Sequence, residues 1–156
     1  MSSGLTIPAQ AVCNSILQQA FKEKIPVSPM KLQKLLYFVY RDYLKKTGEP
    51  LFSERFEAWP YGPVLPSIYD EFKSFHGKPI TKFAKNADGS ASIISSTASG
   101  AQGVVYSIAS VWEKYKNYSG IDLSCITHRK GSAWYMASAR HELMLDSEEI
   151  KEEPVD

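Results

Sequence analysis

Residues that commonly bind metals or form disulfides are scarce in this sequence. Only 2 cysteines and 3 histidines occur among 156 residues. Cys13 and Cys125 stand far apart, and neither belongs to a Cys-x-x-Cys pair or to a cluster with metal-ligand spacing. Cys13 falls on an apolar helical face, where a free cysteine behaves as a small hydrophobic residue. We therefore expect reduced thiols, no structural metal and no cofactor.

Sequence signatures of catalysis are missing as well. The chain has no Gly-x-Ser-x-Gly turn, no phosphate-binding glycine loop and no dinucleotide fingerprint. The three histidines are His76, His128 and His141. None of them has a second histidine and a glutamate at the spacing of a helical zinc site. Glu57 is the carboxylate whose pKa burial would perturb most, but a lone buried glutamate more often anchors a fold. We expect no enzymatic activity.

Long apolar runs are also absent. Lys, Gln or Ser interrupts each run well before the roughly 18 residues that a membrane span needs, and the first residues do not resemble a signal peptide. Hydrophobic residues make up 44% and charged residues 22% of the chain, as in ordinary globular proteins. We expect one compact domain in the cytoplasm, with no membrane partner.

The spacing of apolar residues predicts a mainly α fold with one small β-hairpin. The clearest helix is capped by Ser28, begins at Pro29 and ends before Gly48. Ser119 and Asp122 have the spacing of a capping box before a short helix. The other predicted helices cover about residues 8–22, 66–75, 104–118 and 132–145, and the short one ends at Arg129.

Two segments between the helices are predicted to be non-helical. Residues 51–60 have some strand character, but Pro60, Pro63 and Pro66 exclude a central strand and predict a turn. Residues 84–103 are rich in small polar residues. We interpret them as an exposed excursion with a weak strand at residues 93–94, one half of a hairpin.

Three motif blocks carry the most specific information. The first is Lys31-Leu32-Gln33-Lys34-Leu35-Leu36-Tyr37-Phe38, and the second is Phe56-Glu57-Ala58-Trp59-Pro60-Tyr61-Gly62-Pro63-Val64. The third contains Leu123-Ser124, Thr127-His128 and Trp134. In their order and separation, these blocks resemble the Panacea domain, the SocA-like antitoxin family that includes phage-associated proteins. The resemblance covers about residues 5–145.

The resemblance implies a function in protein binding. Panacea domains act as antitoxins that bind a cognate toxin, usually encoded beside them, and neutralise it by direct contact. In at least one lineage the antitoxin delivers its toxin to a protease as an adaptor. The alternative is a phage-associated regulator or counter-defence protein that binds another protein, and a small hydrolase or nucleic-acid binder ranks third.

The motif residues themselves are expected to support the fold. This prediction covers Leu32, Gln33, Leu35, Tyr37, Glu57, Trp59, Gly62, Pro63, His128 and Trp134. The two tryptophans are predicted to lie in the core because aromatic side chains dominate burial. His128 is expected to bond to the backbone near a helix end and to support Trp134.

The charges are distributed unevenly along the chain. The second predicted helix carries five cationic residues and one carboxylate. The cations are Lys31, Lys34, Arg41, Lys45 and Lys46, and the carboxylate is Asp42. A solvated charged face is the simplest interpretation, and a basic protein-docking edge is the next. For partner binding we single out Lys31, Lys34 and Arg41 on that edge, with Tyr61 beside it.

The last residues are strongly acidic. We divide the chain into a Panacea-like domain, residues 1–145, and a flexible acidic tail, residues 146–156. Nucleic acid is not the expected partner, because no tight basic cluster with interleaved aromatic residues is present. Many family members carry an additional DNA-binding or partner-selecting segment. Here only the acidic tail follows the Panacea-like region, so we do not expect autoregulation through DNA.

Overall fold

Seven α-helices and one two-stranded sheet make up the fold in the computed structural model, which describes residues 7–95 and 100–155. The elements, in chain order, are α1 (Ala9–Glu23), α2 (Pro29–Thr47), β1 (Glu57–Trp59), β2 (Gly62–Val64), α3 (Pro66–Phe72), α4 (Gln102–Tyr115), α5 (Gly120–Thr127), α6 (Ala133–Ala139) and α7 (Ser147–Glu152). A 3₁₀ turn, Lys73–Phe75, follows α3. The predicted mainly helical fold with a small hairpin is confirmed. Residues 1–6, 96–99 and 156 lie outside the described residues. They belong to the start of the predicted domain, to the predicted excursion over residues 84–103 and to the predicted acidic tail.

Helix α2 occupies the centre of the molecule. The Ser28 hydroxyl accepts a hydrogen bond from the Lys31 amide, Pro29 takes the first helical position, and Gly48 ends the helix at a φ of +76°. Every residue from 31 to 41 is buried. Helices α1, α3, α4, α5 and α7 and strand β2 all pack against it. The whole circumference of this stretch therefore faces protein, including its polar side chains.

The hairpin lies at the second motif block. Strands β1 and β2 are antiparallel, with Glu57 opposite Val64 and Trp59 opposite Gly62. Residues 143–145 extend this sheet on the other side of β1, through a hydrogen bond from the Ala58 amide to the Leu143 carbonyl at 2.7 Å. The predicted helix over 132–145 is confirmed at its start, but this pairing makes it end earlier than predicted. Helix α6 stops at Ala139, and the chain then turns into an extended segment.

The strand predicted at residues 93–94 is wrong. The described parts of this excursion, residues 84–95 and 100–103, contain no strand. The first of them is held by the buried Asn14 side chain, which accepts a hydrogen bond from the Ala84 amide and donates to the Ala84 and Ser92 carbonyls. A side chain on α1, rather than a neighbouring strand, satisfies these backbone groups.

The prediction of a flexible acidic tail is also wrong for the described residues. Helix α7 forms there, with the Asp146 side chain accepting a hydrogen bond from the Glu149 amide at 3.0 Å. Glu153 is buried, and its carboxylate accepts hydrogen bonds from the Tyr37 hydroxyl at 2.8 Å and from Arg41 at 2.6 Å. Because a buried carboxylate needs such partners, these contacts tie the C-terminal segment to α2.

Candidate functional site

Residues 59–63 comprise the two-residue turn between the strands and the strand residues that flank it, and they are here called the aromatic turn. Its first two carbonyl groups contact side chains from the third motif block. The Trp134 indole N–H donates to the Trp59 carbonyl at 2.7 Å, and His128 Nε2 lies 2.9 Å from the Pro60 carbonyl. His128 Nδ1 lies 2.6 Å from the Ser124 carbonyl. Since carbonyls only accept, a neutral imidazole donates to one of them and a protonated ring to both.

Two further carbonyl groups of the aromatic turn are also bonded. The Ser124 hydroxyl donates to the Tyr61 carbonyl at 2.6 Å, and the Lys34 ammonium donates to the Pro63 carbonyl at 3.2 Å. Side chains from α2, α5 and α6, and from the residue that ends α5, therefore contact four of the five carbonyls of this turn. This bonding fixes the backbone of the turn in one conformation.

Gly62 allows the aromatic turn to approach these helices closely. Its φ is +115°, a region that residues with a Cβ rarely adopt. A Cβ at this position would lie 2.5 Å from Thr127 Oγ1 and 2.8 Å from Lys34 Cε. Both the backbone angle and the space therefore require glycine.

The three motif blocks meet at this turn. Lys34 comes from the first block, the turn is the second, and Ser124, His128 and Trp134 belong to the third. Next to it, the Gln33 side chain bonds both the amide and the carbonyl of Leu65. The motif residues thus support one local structure. Sequence reasoning singled out His128 and Trp134 for such a role but gave none to Ser124 or Thr127, although both lie in the third block.

Three aromatic side chains are accessible at this end of the hairpin. Two belong to the aromatic turn and one to α3, and we call them the aromatic face: Trp59, Tyr61 and Tyr69. Tyr61 is 64% exposed. Trp59 is half-buried, and its ring centroid lies 5.0 Å from that of Tyr69. Trp134 is also half-buried, against the His128 ring at 3.8 Å. The two tryptophans therefore lie at the boundary of the core rather than inside it as predicted.

The predicted basic edge of α2 is wrong as an exposed surface. Lys31, Lys34 and Arg41 are only 6%, 1% and 4% exposed. The Lys31 ammonium donates to the Lys116 carbonyl, and Arg41 pairs with Glu153. The packing of α4, α5 and α7 around α2 covers these cations. Of the four residues singled out for partner binding, Tyr61 is the exposed one.

Unlike Arg41, Lys34 has no carboxylate partner among the described residues, and it is more deeply buried than Lys31, which also bonds a carbonyl. Its single hydrogen bond goes to the Pro63 carbonyl, and no carboxylate of the described residues lies within ion-pair distance. Burial lowers the pKa of Lys34 from 10.5 to about 8. Around neutral pH the side chain is therefore mostly a buried ammonium without a counter-charge.

A cavity of about 400 Å³ opens between the aromatic face, α3 and the first turns of α2. Pro60, Val64 and Ile68 contribute apolar walls, and Lys34 lines it from α2. Across the described residues, no group of three or more His, Cys, Asp or Glu side chains is placed to hold a metal ion. The arrangement is suited to recognition of another molecule by shape, aromatic contact and charge.

Comparisons with known proteins agree with these motifs. The family model "Antitoxin SocA-like, Panacea domain" matches residues 32–135, a range that contains all three blocks except Lys31. Antitoxin SocA of Caulobacter vibrioides (strain NA1000 / CB15N) is 41% identical over 83 residues, which are 53% of this chain and 44% of the relative. The chain thus spans less than half of that relative's length. No solved structure matches.

Proposed function

The chain belongs to the SocA-like antitoxin family with a Panacea domain, and from this premise we propose that it is an antitoxin that neutralises a cognate protein toxin by direct binding. The name of the similar SocA protein supports the antitoxin role. The observation that carries the proposal is the convergence of the three motif blocks on the aromatic turn, which projects Tyr61 into solvent.

A rigid turn favours binding because less conformational freedom is lost when a partner docks. The carbonyls of Trp59, Pro60, Tyr61 and Pro63 are already bonded in the free protein. The turn therefore holds the Tyr61 backbone in place before any contact forms. Tyrosine and tryptophan are enriched among the residues that dominate binding energy at protein interfaces. The aromatic face is accordingly the proposed centre of the toxin interface.

The proposal includes neutralisation without catalysis. Ser124 and His128 are residue types that serve as nucleophile and base in hydrolases. Here the Ser124 hydroxyl donates to the Tyr61 carbonyl, and both His128 ring nitrogens face carbonyls. Their contacts support a role in holding the turn. Occlusion of the toxin and its delivery to a protease both begin with this binding step.

The cellular setting is also part of the proposal. In the described ranges, none of the helices has the length and apolar character needed to cross a membrane. We place the protein in the cytoplasm, with its toxin encoded by a neighbouring gene. That gene supplies the partner for the experiment below.

The test is a neutralisation assay in cells that express the cognate toxin together with variants of this protein. Tyr61→Ala removes the projecting ring and should weaken toxin binding by about 10- to 100-fold, as expected for a central aromatic residue. Tyr106→Ala is the matched control, because Tyr106 is 66% exposed and lies on α4, away from the turn. Cells with Tyr61→Ala should stop growing, and cells with Tyr106→Ala should grow.

Two further measurements make the result decisive. Thermal melts should show that both variants fold as the wild type does, since neither ring is buried. Titration of purified toxin by calorimetry then measures the loss of affinity directly. If Tyr61→Ala neutralises and binds like the wild type, the aromatic face is not the toxin interface.

A further inference from the structure

The cavity beside the aromatic face contains a positive charge that no carboxylate of the described residues balances. Lys34 lines this cavity and is 1% exposed. An ammonium group has three donors, and the described residues provide one acceptor, the Pro63 carbonyl. By contrast, the buried Arg41 has the Glu153 carboxylate at 2.6 Å. A buried charge without a partner is costly, so the site favours a ligand that brings the opposite charge.

The described residues that line the rest of the cavity carry no negative charge. The lining groups that titrate are Lys34, His76, Tyr61 and Tyr69, and none of the lining residues is acidic. The first turn of α2 contributes Pro29 and Met30, which places the positive end of the helix dipole at the same wall. Both features attract an anionic group.

Most of the lining surface is apolar or aromatic. Met30, Ile68 and the rings of Trp59 and Tyr69 provide it, with Tyr61 at the exposed edge. A simple anion such as phosphate would leave these walls in contact with water. An aromatic or large aliphatic group would bury them, and a volume of about 400 Å³ accommodates such a group together with a short acidic side chain.

We propose that this cavity receives a toxin segment that carries an aromatic or large aliphatic side chain next to a glutamate or aspartate, whose carboxylate pairs with Lys34. The proposal rests on the proposed function, since the toxin is the partner, and it adds the chemistry that the toxin must present. An acidic side chain fits better than a chain terminus. Its methylene groups let the carboxylate reach the buried Lys34, whereas a terminal carboxylate is attached directly to the backbone.

The test uses blocked dipeptides as probes and does not require the toxin. Acetyl-Trp-Glu-amide carries the proposed pair of groups, and acetyl-Trp-Gln-amide has the same shape without the charge. Binding to the full chain is followed by NMR, using the indole N–H signals and the lysine side-chain signals. The Glu probe should bind about tenfold more tightly than the Gln probe, as expected for one charge-assisted hydrogen-bonded pair.

Two lysine variants assign that difference to one residue. Lys34→Met should abolish the preference for the Glu probe. Lys31→Met is the matched control and should retain it: Lys31 is also buried on α2 and bonds one carbonyl, but it lies outside this cavity. Thermal melts check that both variants fold. If Lys34→Met does not fold, the comparison of the two probes on the wild type still decides the result.

Three outcomes would overturn the proposal: equal affinity of the Glu and Gln probes for the wild type, no binding of either probe, or an undiminished preference in folded Lys34→Met. Acetyl-tryptophan with a free carboxylate is the third probe. If it alone binds through Lys34, the cavity recognises a chain terminus and the acidic side chain is ruled out. Lys34-dependent binding of the Glu probe, with toxin binding unaffected by Tyr61→Ala, would refute the proposed toxin interface and show that the cavity takes its aromatic and acidic groups from another ligand.

Discussion

Gly62 is the residue that sets the shape of the aromatic turn, and its replacement is the first prediction. Gly62→Ala should lower the free energy of unfolding by at least about 2 kcal/mol, because it combines a strained φ with overlap at Thr127 and Lys34. Urea denaturation measures this loss. Gly89→Ala, at a φ of +89° with open space, should cost about 1 kcal/mol, and Gly77→Ala should cost almost nothing. Equal effects at all three glycines would contradict the packing described here.

The buried ammonium of Lys34 predicts an unusual dependence of stability on pH. Its pKa falls from 10.5 to about 8 on folding, so between these pH values the unfolded chain binds more protons than the folded one. The free energy of unfolding therefore rises with pH across this range, by up to about 3 kcal/mol from this residue. The measurement compares wild type and Lys34→Met by urea denaturation at about pH 7 and about pH 10.

Other groups also titrate in that range, so the difference between the two proteins is the informative quantity. Burial, together with the Glu153 carboxylate, raises the pKa of Tyr37, which lowers stability above about pH 10 in both proteins. The wild type should gain stability relative to Lys34→Met as pH rises. A constant difference would show that Lys34 is not buried as an ammonium.

For individual residues, the sequence predicted which belong to the motifs but not which are exposed. Helical spacing places Lys31, Lys34 and Arg41 on α2, yet it does not reveal what packs against them. Their burial depends on a carbonyl of Lys116, a carbonyl of Pro63 and the carboxylate of Glu153, all distant in sequence. Tyr61 was easier to predict as exposed, because it sits in a tight turn between prolines.

Among the elements, α7 gives the third prediction. Glu153→Gln keeps the shape of the side chain but removes the charge that faces Arg41, whose side chain is almost fully buried. It should lower the free energy of unfolding by about 3 kcal/mol, because it leaves the guanidinium without a counter-charge. Urea denaturation of the full chain provides the measurement.

The matched control lies on α7 itself, just before Glu153 in the chain. Glu149 pairs with Arg140 at the surface, and Glu149→Gln should change stability little, since water screens an exposed pair. If Glu153→Gln is as mild as Glu149→Gln, the C-terminal segment is a loosely attached tail, as the sequence had suggested.

The elements themselves could be predicted where their signals are local. Ser28, Pro29 and Gly48 define both ends of α2, and the predicted capping box of Ser119 and Asp122 is confirmed. The elements predicted incorrectly depend on contacts between distant segments. Helix α6 stops early because residues 143–145 pair with β1, and α7 forms against α2. No short sequence window contains that information.

For the whole molecule, the central position of α2 changes how binding experiments should be designed. Replacing Lys31, Lys34 and Arg41 with glutamate would bury three negative charges and remove the partner of Glu153. Such a variant would report on folding rather than on docking. Substitutions at the aromatic face leave the core intact and are therefore the appropriate probes of toxin binding.

Photo-crosslinking in cells that express the cognate toxin would show directly whether the toxin contacts the aromatic face. A benzophenone amino acid replaces Tyr61 in one variant and Tyr106 in another, because the two side chains are about equally exposed. Crosslinked products are identified by mass spectrometry. We expect a covalent adduct with the toxin from position 61 and none from position 106. An adduct from position 106 without one from position 61 would contradict the assignment of the aromatic face as the toxin interface.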